Sequence, residues 1–193
     1  TGNSPWVLSR NPFSYAGSDV APDGRVRFAI KELGDFTSTI KDLKPGDRVY
    51  VDGPYGYFNL HMEDMMEGFV LLAGGIGVAP VMSIVNTLAD TNDKRPLYVF
   101  YGDYNEETAL YQDEFAAAAE KIDLQLVTVL EKPLREDYPY PGYITSDLMA
   151  SVLPENYKDL FYFVCGPAPM LRAMERNFVK LDIAKSHVHF GIQ

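Results

Sequence analysis

A chain of 193 residues, 47% apolar and 23% charged, has the balance of a folded protein, with enough core for one domain or two small ones. Its formal charge of -10 disfavours a surface for nucleic acid or anionic lipid. No run approaches the roughly 18 apolar residues that span a bilayer, and the single cysteine, Cys165, excludes an internal disulfide and an all-cysteine metal site within the chain.

The first residues, TGNSPW, lack an initiator Met and the charged-then-apolar order of a signal peptide, and are read as a processing boundary. Short alternating runs broken by Gly and Pro follow, up to about His61. Residues 25–33 alternate Val26, Phe28 and Ile30 on one face and predict a half-buried strand. Residues 47–56 predict a second, with Val49 and Val51 leading into a Gly-Pro turn, and residues 11–18 a third. Three strands cannot close a barrel alone. Either strands precede Thr1, or the open edge is covered from outside these residues, or a small open sheet lies against the second half. Residues 63–66 are the expected linker.

From about Glu67 strands and helices alternate. Strands are predicted at 68–75, 96–102, 124–130, 160–166 and 187–190, and helices at 80–90, 109–121, 143–153 and 168–181. The near-continuous apolar run 68–75 is that of a parallel strand covered on both faces. Met82, Val85 and Leu88/Ala89 form a helical stripe, and Thr145 or Ser146 is placed to cap the third helix. This order predicts a doubly wound parallel sheet.

The strongest chemical signal is GGIGVAP, residues 74–80, between a buried strand and a helix. Gly75 and Gly77 allow a tight turn and close backbone approach to a diphosphate, and Pro80 suits a first helical turn. The free N–H groups there face an anion. A glycine-rich turn of this kind also arises for structural reasons alone. CGPAPM, residues 165–170, occupies the equivalent position after the last core strand. Cys165 there is either beside a ligand or a buried, inert thiol. YGDYNEE, residues 101–107, follows the second core strand, where Asp103 could accept hydrogen bonds from a ribose 2′-hydroxyl and would repel a 2′-phosphate. Glu106 and Glu107 add acidity or simply start the next helix. NADH is therefore favoured over NADPH. His187 and His189 share a strand face without an evident third metal ligand. Phe13, Tyr15, Tyr55, Tyr57 and Phe58 are core by default, although loops could bring some of them over a planar ring.

The succession NPFSYAGS, IKELGDFT, DGPYG, LLAGGIGVAP, FVCGPAPM and a terminal aromatic resembles the ferredoxin–NADP reductase superfamily over nearly the whole chain. It is most similar to the soluble dehydrogenase region of ferric reductases and NADPH-oxidase-like membrane proteins. The resemblance implies two domains: an incomplete antiparallel β-barrel for FAD over residues 1–62, lacking strands ahead of Thr1, and an α/β nucleotide domain over residues 67–193. It implies that Asn11, Pro12, Phe13 and Ser14 form the flavin motif, with Phe13 against the ring and Ser14 bonded near it. Asn11 stands where His or Arg is usual and brings no positive charge. Gly34, Asp35, Phe36 and Thr37 resemble the diphosphate turn, with Lys31 nearby as an electrostatic helper or an ordinary exposed lysine. In the second domain the likeness assigns Gly75, Gly77, Pro80, Tyr101, Gly102 and Asp103 to NADH or NADPH. Cys165, Gly166, Pro167 and Met170 would lie near the nicotinamide, and Phe190 would cover the flavin. Cys165, Ser14 and Phe190 are the residues expected to position the reacting rings. Ser186 and Val188 stand where relatives carry His and Glu.

The implied activity is hydride transfer from nicotinamide to flavin N5 and release of single electrons. The implied acceptor is haem in a fused membrane domain, with this chain on the cytoplasmic side. An iron–sulfur or other redox protein is an alternative partner, and a non-catalytic nucleotide-binding regulatory module is the alternative role.

Overall fold

The computed structural model describes residues 11–21, 23–53, 55 and 66–191. Its centre is a five-stranded, fully parallel sheet of β1 (Phe69–Gly74), β2 (Leu97–Asp103), β3 (Leu124–Leu130), β4 (Phe161–Cys165) and β5 (Val188–Gly191). The spatial order is β3-β2-β1-β4-β5. The chain therefore winds outward from β1 in one direction, then returns and winds outward in the other. That reversal sets the switch point between β1 and β4, where ligands enter open α/β sheets.

Every residue of β1 and β4 is buried, which is why both strands are continuous apolar runs without alternation. One sheet face packs Phe69, Leu71, Val99, Tyr101 and Phe163 against α2 (Val78–Asp90) and α3 (Gln112–Ala119). The other packs Val70, Leu72, Phe100, Tyr162 and Val164 against α4 (Ser146–Val152) and α5 (Ala168–Lys180). The Thr145 side chain accepts a hydrogen bond from the Leu148 N–H and caps α4. Helix α3 begins later than the periodicity predicts, at Gln112. Tyr111 takes φ 63°, and residues 105–108 are folded into a turn held by the Asn105 side chain.

The first half departs further from expectation. Of the strands predicted at 11–18, 25–33 and 47–56, the described residues form a single antiparallel bridge, Tyr15 to Phe28. A strand needs a partner as well as alternation. Val26, Val49 and Val51 are exposed, so their alternating pattern has no sheet face to fill. The α-helix described here is α1 (Asp35–Thr39), a single turn that runs on into a 3-10 turn at Ile40–Asp42. The linker expected at 63–66 falls outside the described residues except for Met66, which packs on the α2/α3 side of the core. Tyr57, Phe58, His61 and the predicted barrel's end at residue 62 also lie outside them.

At the far end of the sheet from the switch point, Arg95 is held by Asp93 through Nη2–Oδ2 at 2.6 Å and Nε–Oδ1 at 3.0 Å. Its guanidinium lies 4.5 Å above the Phe69 ring centre. The Arg95 hydrogen bonds hold the Asp93 carboxyl below its ordinary range. A depressed carboxyl pKa stabilises the fold fully above the unfolded value of about 3.9, and that contribution fades as pH falls toward the folded value. Asp93→Asn is therefore expected to lose about 1–2 kcal/mol at neutral pH. Its deficit should shrink below about pH 4, as read by urea unfolding of both proteins across the acid range. A deficit independent of pH would contradict this account.

Candidate active site at the switch point

The turn after β1 and the turn after β4 meet edge to edge. β1 and β4 run in register from Phe69↔Phe161 to Ala73↔Cys165, so the chain leaves both strands at the same height. A Cβ on Gly77 would overlap the Cys165 carbonyl, and one on Gly74 would overlap the Met170 sulfur. On Gly166 a Cβ would come within 2.7 Å of the same sulfur. Gly74, Gly77 and Gly166 thus serve the packing of one turn against the other. Gly75 differs. It holds φ +52°, and a Cβ placed there would meet nothing within 4 Å. Gly75 is where bare backbone faces open space, directly before a tight turn and the amino end of α2. Pro80 lies buried in the first turn of that helix, where a missing N–H costs nothing.

Cys165 is buried at the tip of β4, between Ala73 and Gly191. Strand alternation points it toward the α2/α3 side, with Phe161 and Phe163. Met170 is half-buried, and Pro167 is the exposed residue from which α5 starts. Phe190 is on the opposite face. It pairs with Val164, and its ring packs 6.2 Å from that of Phe178 of α5. Phe190, expected to cover the flavin, and Cys165, expected near the nicotinamide, therefore lie on opposite sides of the sheet. His189 packs edge-on against Phe161 and Phe163, and His187 bonds the Lys158 carbonyl at 2.8 Å. Among the described residues no group of three metal-ligating side chains occurs.

One strand away, Gly74 pairs with Gly102, which brings Asp103 to the same rim. The Asp103 carboxylate is fixed by three donors. Tyr101 Oη donates to Oδ2 at 2.8 Å, while the Tyr104 N–H and Thr108 Oγ1 donate to Oδ1 at 2.7 and 2.6 Å. Tyr101 Oη in turn accepts from the Leu110 N–H at 3.1 Å, and burial keeps its phenol protonated far above its ordinary range. A carboxylate has about four lone-pair positions, so Oδ2 retains one for a ligand hydroxyl. Glu106 is turned away and accepts from the Leu134 N–H at 2.7 Å. The residue that pattern reading missed is Glu131. Its N–H bonds the Asp103 carbonyl at 2.9 Å, while its carboxylate accepts from the Tyr143 hydroxyl on the other face of the sheet from Asp103. Position after a core strand was the available signal, since β3 ends at Leu130.

In the first half, Phe13 and Phe36 stack with centroids 6.1 Å apart and planes 21° from parallel. The two segments assigned to flavin by resemblance thus touch. Thr37 Oγ1 accepts from the Leu33 and Gly34 N–H groups at 2.9 and 3.0 Å, so it first organises its own turn. Asn11, Pro12, Ser14 and Lys31 are exposed. This segment rests on α2 and α3, the side of the sheet toward which Cys165 points.

The family model for the oxidoreductase NAD-binding domain matches residues 71–176, more than half of the chain. NADH-cytochrome b5 reductase 1 of Kluyveromyces lactis is 31% identical over 180 residues, covering 90% of this chain and 64% of that protein. The toluate 1,2-dioxygenase electron transfer component of Pseudomonas putida is 30% identical, covering 92% of this chain and 52% of that protein. The chain thus spans between half and two thirds of these curated relatives. Among solved structures, the Amycolatopsis cytochrome P450 reductase GcoB superposes with a TM-score of 0.79 at 24% identity, over 96% of this chain and 57% of that one. Ferredoxin–NADP+ reductases are among the other neighbours, and the fold is of their type.

The interlocked turns set an expectation for the glycines. Gly77→Ala should lose about 1–3 kcal/mol, because a methyl group must displace backbone. Gly75→Ala should lose about 1 kcal/mol through its positive φ alone. Chemical unfolding reads the difference, and equal losses would refute the division of roles.

Proposed function

The chain belongs to the oxidoreductase NAD-binding domain family, and on that premise we propose that it orients a reduced dinucleotide for electron transfer to a flavin. The observation that carries this reading is Gly75, an open, positive-φ backbone position at the switch point and before a helix amino end. The site fits a dinucleotide. Bare backbone and the first-turn N–H groups of α2 face the diphosphate, and Asp103 Oδ2 offers an acceptor to an adenosine ribose. Asp103 opposes a 2′-phosphate, which favours NADH over NADPH.

When bound, the nicotinamide supplies a hydride and the flavin accepts it and releases electrons singly. The residues of this chain contribute position and exclusion of water. Gly166 and Met170 close one wall of the crevice, and Cys165 presents a small, buried side chain beside the nicotinamide end. No residue is required as a general base. Phe13 with Phe36 forms the aromatic surface for the flavin, and Ser14 and Thr37 are its polar neighbours. Phe190, packed on Phe178, is not part of this set as the structure stands.

The acceptor in this reading is a one-electron centre. Haem in a fused membrane domain is the context that the NPFS segment resembles, although no described helix is long and apolar enough to cross a membrane. An iron–sulfur protein is the second reading, supported by the likeness to a dioxygenase electron transfer component over nearly the whole chain.

Mixing the chain and FAD with NADH or NADPH without oxygen, and following the flavin band near about 450 nm, tests the proposal. NADH should bleach flavin faster than in a protein-free control and faster than NADPH does. Asp103→Asn should narrow the NADH preference by about tenfold, the scale of one like-charge contact. No acceleration with either donor would reject the proposal. An unchanged preference in the variant would reject the role of Asp103.

A further inference from the structure

The segment 11–28 is attached to the nucleotide half through a row of polar contacts that cofactor binding does not use. On α2, Ser83, Asn86 and Thr87 occupy spacings that put them on one helical face. Ser83 Oγ donates to the Gly17 carbonyl at 2.8 Å, and Asn86 Nδ2 donates to the Ala16 carbonyl at 3.3 Å. The Asp19 N–H donates to Thr87 Oγ1 at 3.1 Å. Ala16, fully buried, is the one buried residue described between 11 and 55. Arg27 completes the row. Its Nη2 donates to the Ala16 carbonyl at 3.0 Å and to Glu114 Oε2 of α3 at 2.6 Å, and its guanidinium lies 5.3 Å from the centre of the Tyr111 ring. Tyr111 holds the left-handed φ of 63°, a conformation that costs a non-glycine residue energy and places its ring under Arg27.

We propose that this row is a positioning latch. Ser83, Asn86, Thr87 and the Arg27–Glu114 pair fix the 11–28 segment on α2 and α3, and so set the distance between the flavin-bearing residues and the crevice. The consequence for hydride transfer rests on the function proposed above, while the docking itself does not. α2 joins the two tasks, since its amino end faces the dinucleotide and its polar face carries the segment that precedes Phe28. An open cleft of about 450 Å³, bordered by Gly17, Arg25, Arg27, Asn86 and Glu114, lies along the contact. Water therefore reaches the ion pair, and salt weakens it. A latch of this kind alters rate more than affinity, because displacement of about 1 Å can slow a positioned reaction by up to about a hundredfold.

The test uses Glu114→Arg, which sets two cations together, the exchanged pair Arg27→Glu with Glu114→Arg, and Asn86→Ala. Amide hydrogen exchange over residues 13–21 is measured on each protein without cofactor, and flavin reduction by NADH is followed in single turnover with added FAD. Glu114→Arg should speed exchange in that segment by about fivefold or more, and slow flavin reduction by about tenfold with less than about a twofold change in the NADH concentration for half-saturation. Asn86→Ala should act in the same direction, and the exchanged pair should recover part of both losses, since it restores the ion pair but not the Arg27 bond to the Ala16 carbonyl. Unchanged exchange in Glu114→Arg and Asn86→Ala overturns the latch, as does an equal loss in the exchanged pair. If the unaltered chain reduces no flavin, the proposed function fails, and the exchange measurements still decide whether the segment is latched.

Discussion

The crevice depends on how closely two strand-ending turns can approach. β1 and β4 are neighbours in the sheet, and both must turn into helices at the same height. The turn after β1 can start α2 only if its backbone passes against the Cys165 carbonyl, and the turn after β4 can start α5 only if Met170 reaches over Gly74. A side chain at Gly77 would force backbone apart, and one at Gly74 or Gly166 would have to displace the Met170 side chain. Interlocking removes Gly77 from direct ligand contact and leaves Gly75 as the bare backbone that faces outward. A pattern of glycines that looks like one motif is thus two: three that close the protein on itself and one that opens it.

The rim of the crevice shows how fixed charge is kept available. Asp103 accepts from Tyr101, Tyr104 and Thr108, and the Tyr101 hydroxyl is itself anchored by the Leu110 N–H. The carboxylate is oriented before any ligand arrives, and only one acceptor position remains on Oδ2. The hydrogen bonds from Glu131 N–H to the Asp103 carbonyl and from Lys132 N–H to the Tyr104 carbonyl extend the β2–β3 pairing past the end of the sheet. That extension holds the backbone on both sides of Asp103, so its carboxylate keeps its place although Glu106 is diverted into a loop contact.

The second half of the chain was legible because its signals are local. An unbroken apolar run such as FVLLAG can be satisfied only by cover on both faces, and the Gly-rich turn that follows has few other uses. Spacing could not show which glycine faces the ligand, since this depends on where Cys165 and Met170 lie in space. The start of α3 was missed because Tyr111 adopts a left-handed conformation that propensity disfavours. The strands expected at 25–33 and 47–56 failed for a different reason. Alternation states which face would be buried but not what buries it, and Val26, Val49, Tyr50 and Val51 are exposed among the described residues. Phe190 was correctly placed in a strand, yet parity sends it to Phe178 and away from Cys165.

The two halves differ in how they are held, and this bears on what each can do. β1 and β4 are buried on both faces, so the crevice between them is rigid without help. The described residues between 11 and 55 contribute one buried side chain, Ala16, and they are joined to the sheet domain by directional polar bonds to α2 and α3. Apolar packing tolerates small slides, whereas hydrogen bonds to backbone carbonyls at Ala16 and Gly17 define register as well as contact. For a reaction between two flat rings carried on separate parts of the chain, register is the quantity that matters. A polar face on α2 costs the protein some core, because Ser83, Asn86 and Thr87 occupy positions that could have been aliphatic. That cost is intelligible if the helix must locate a second segment as well as stabilise the first.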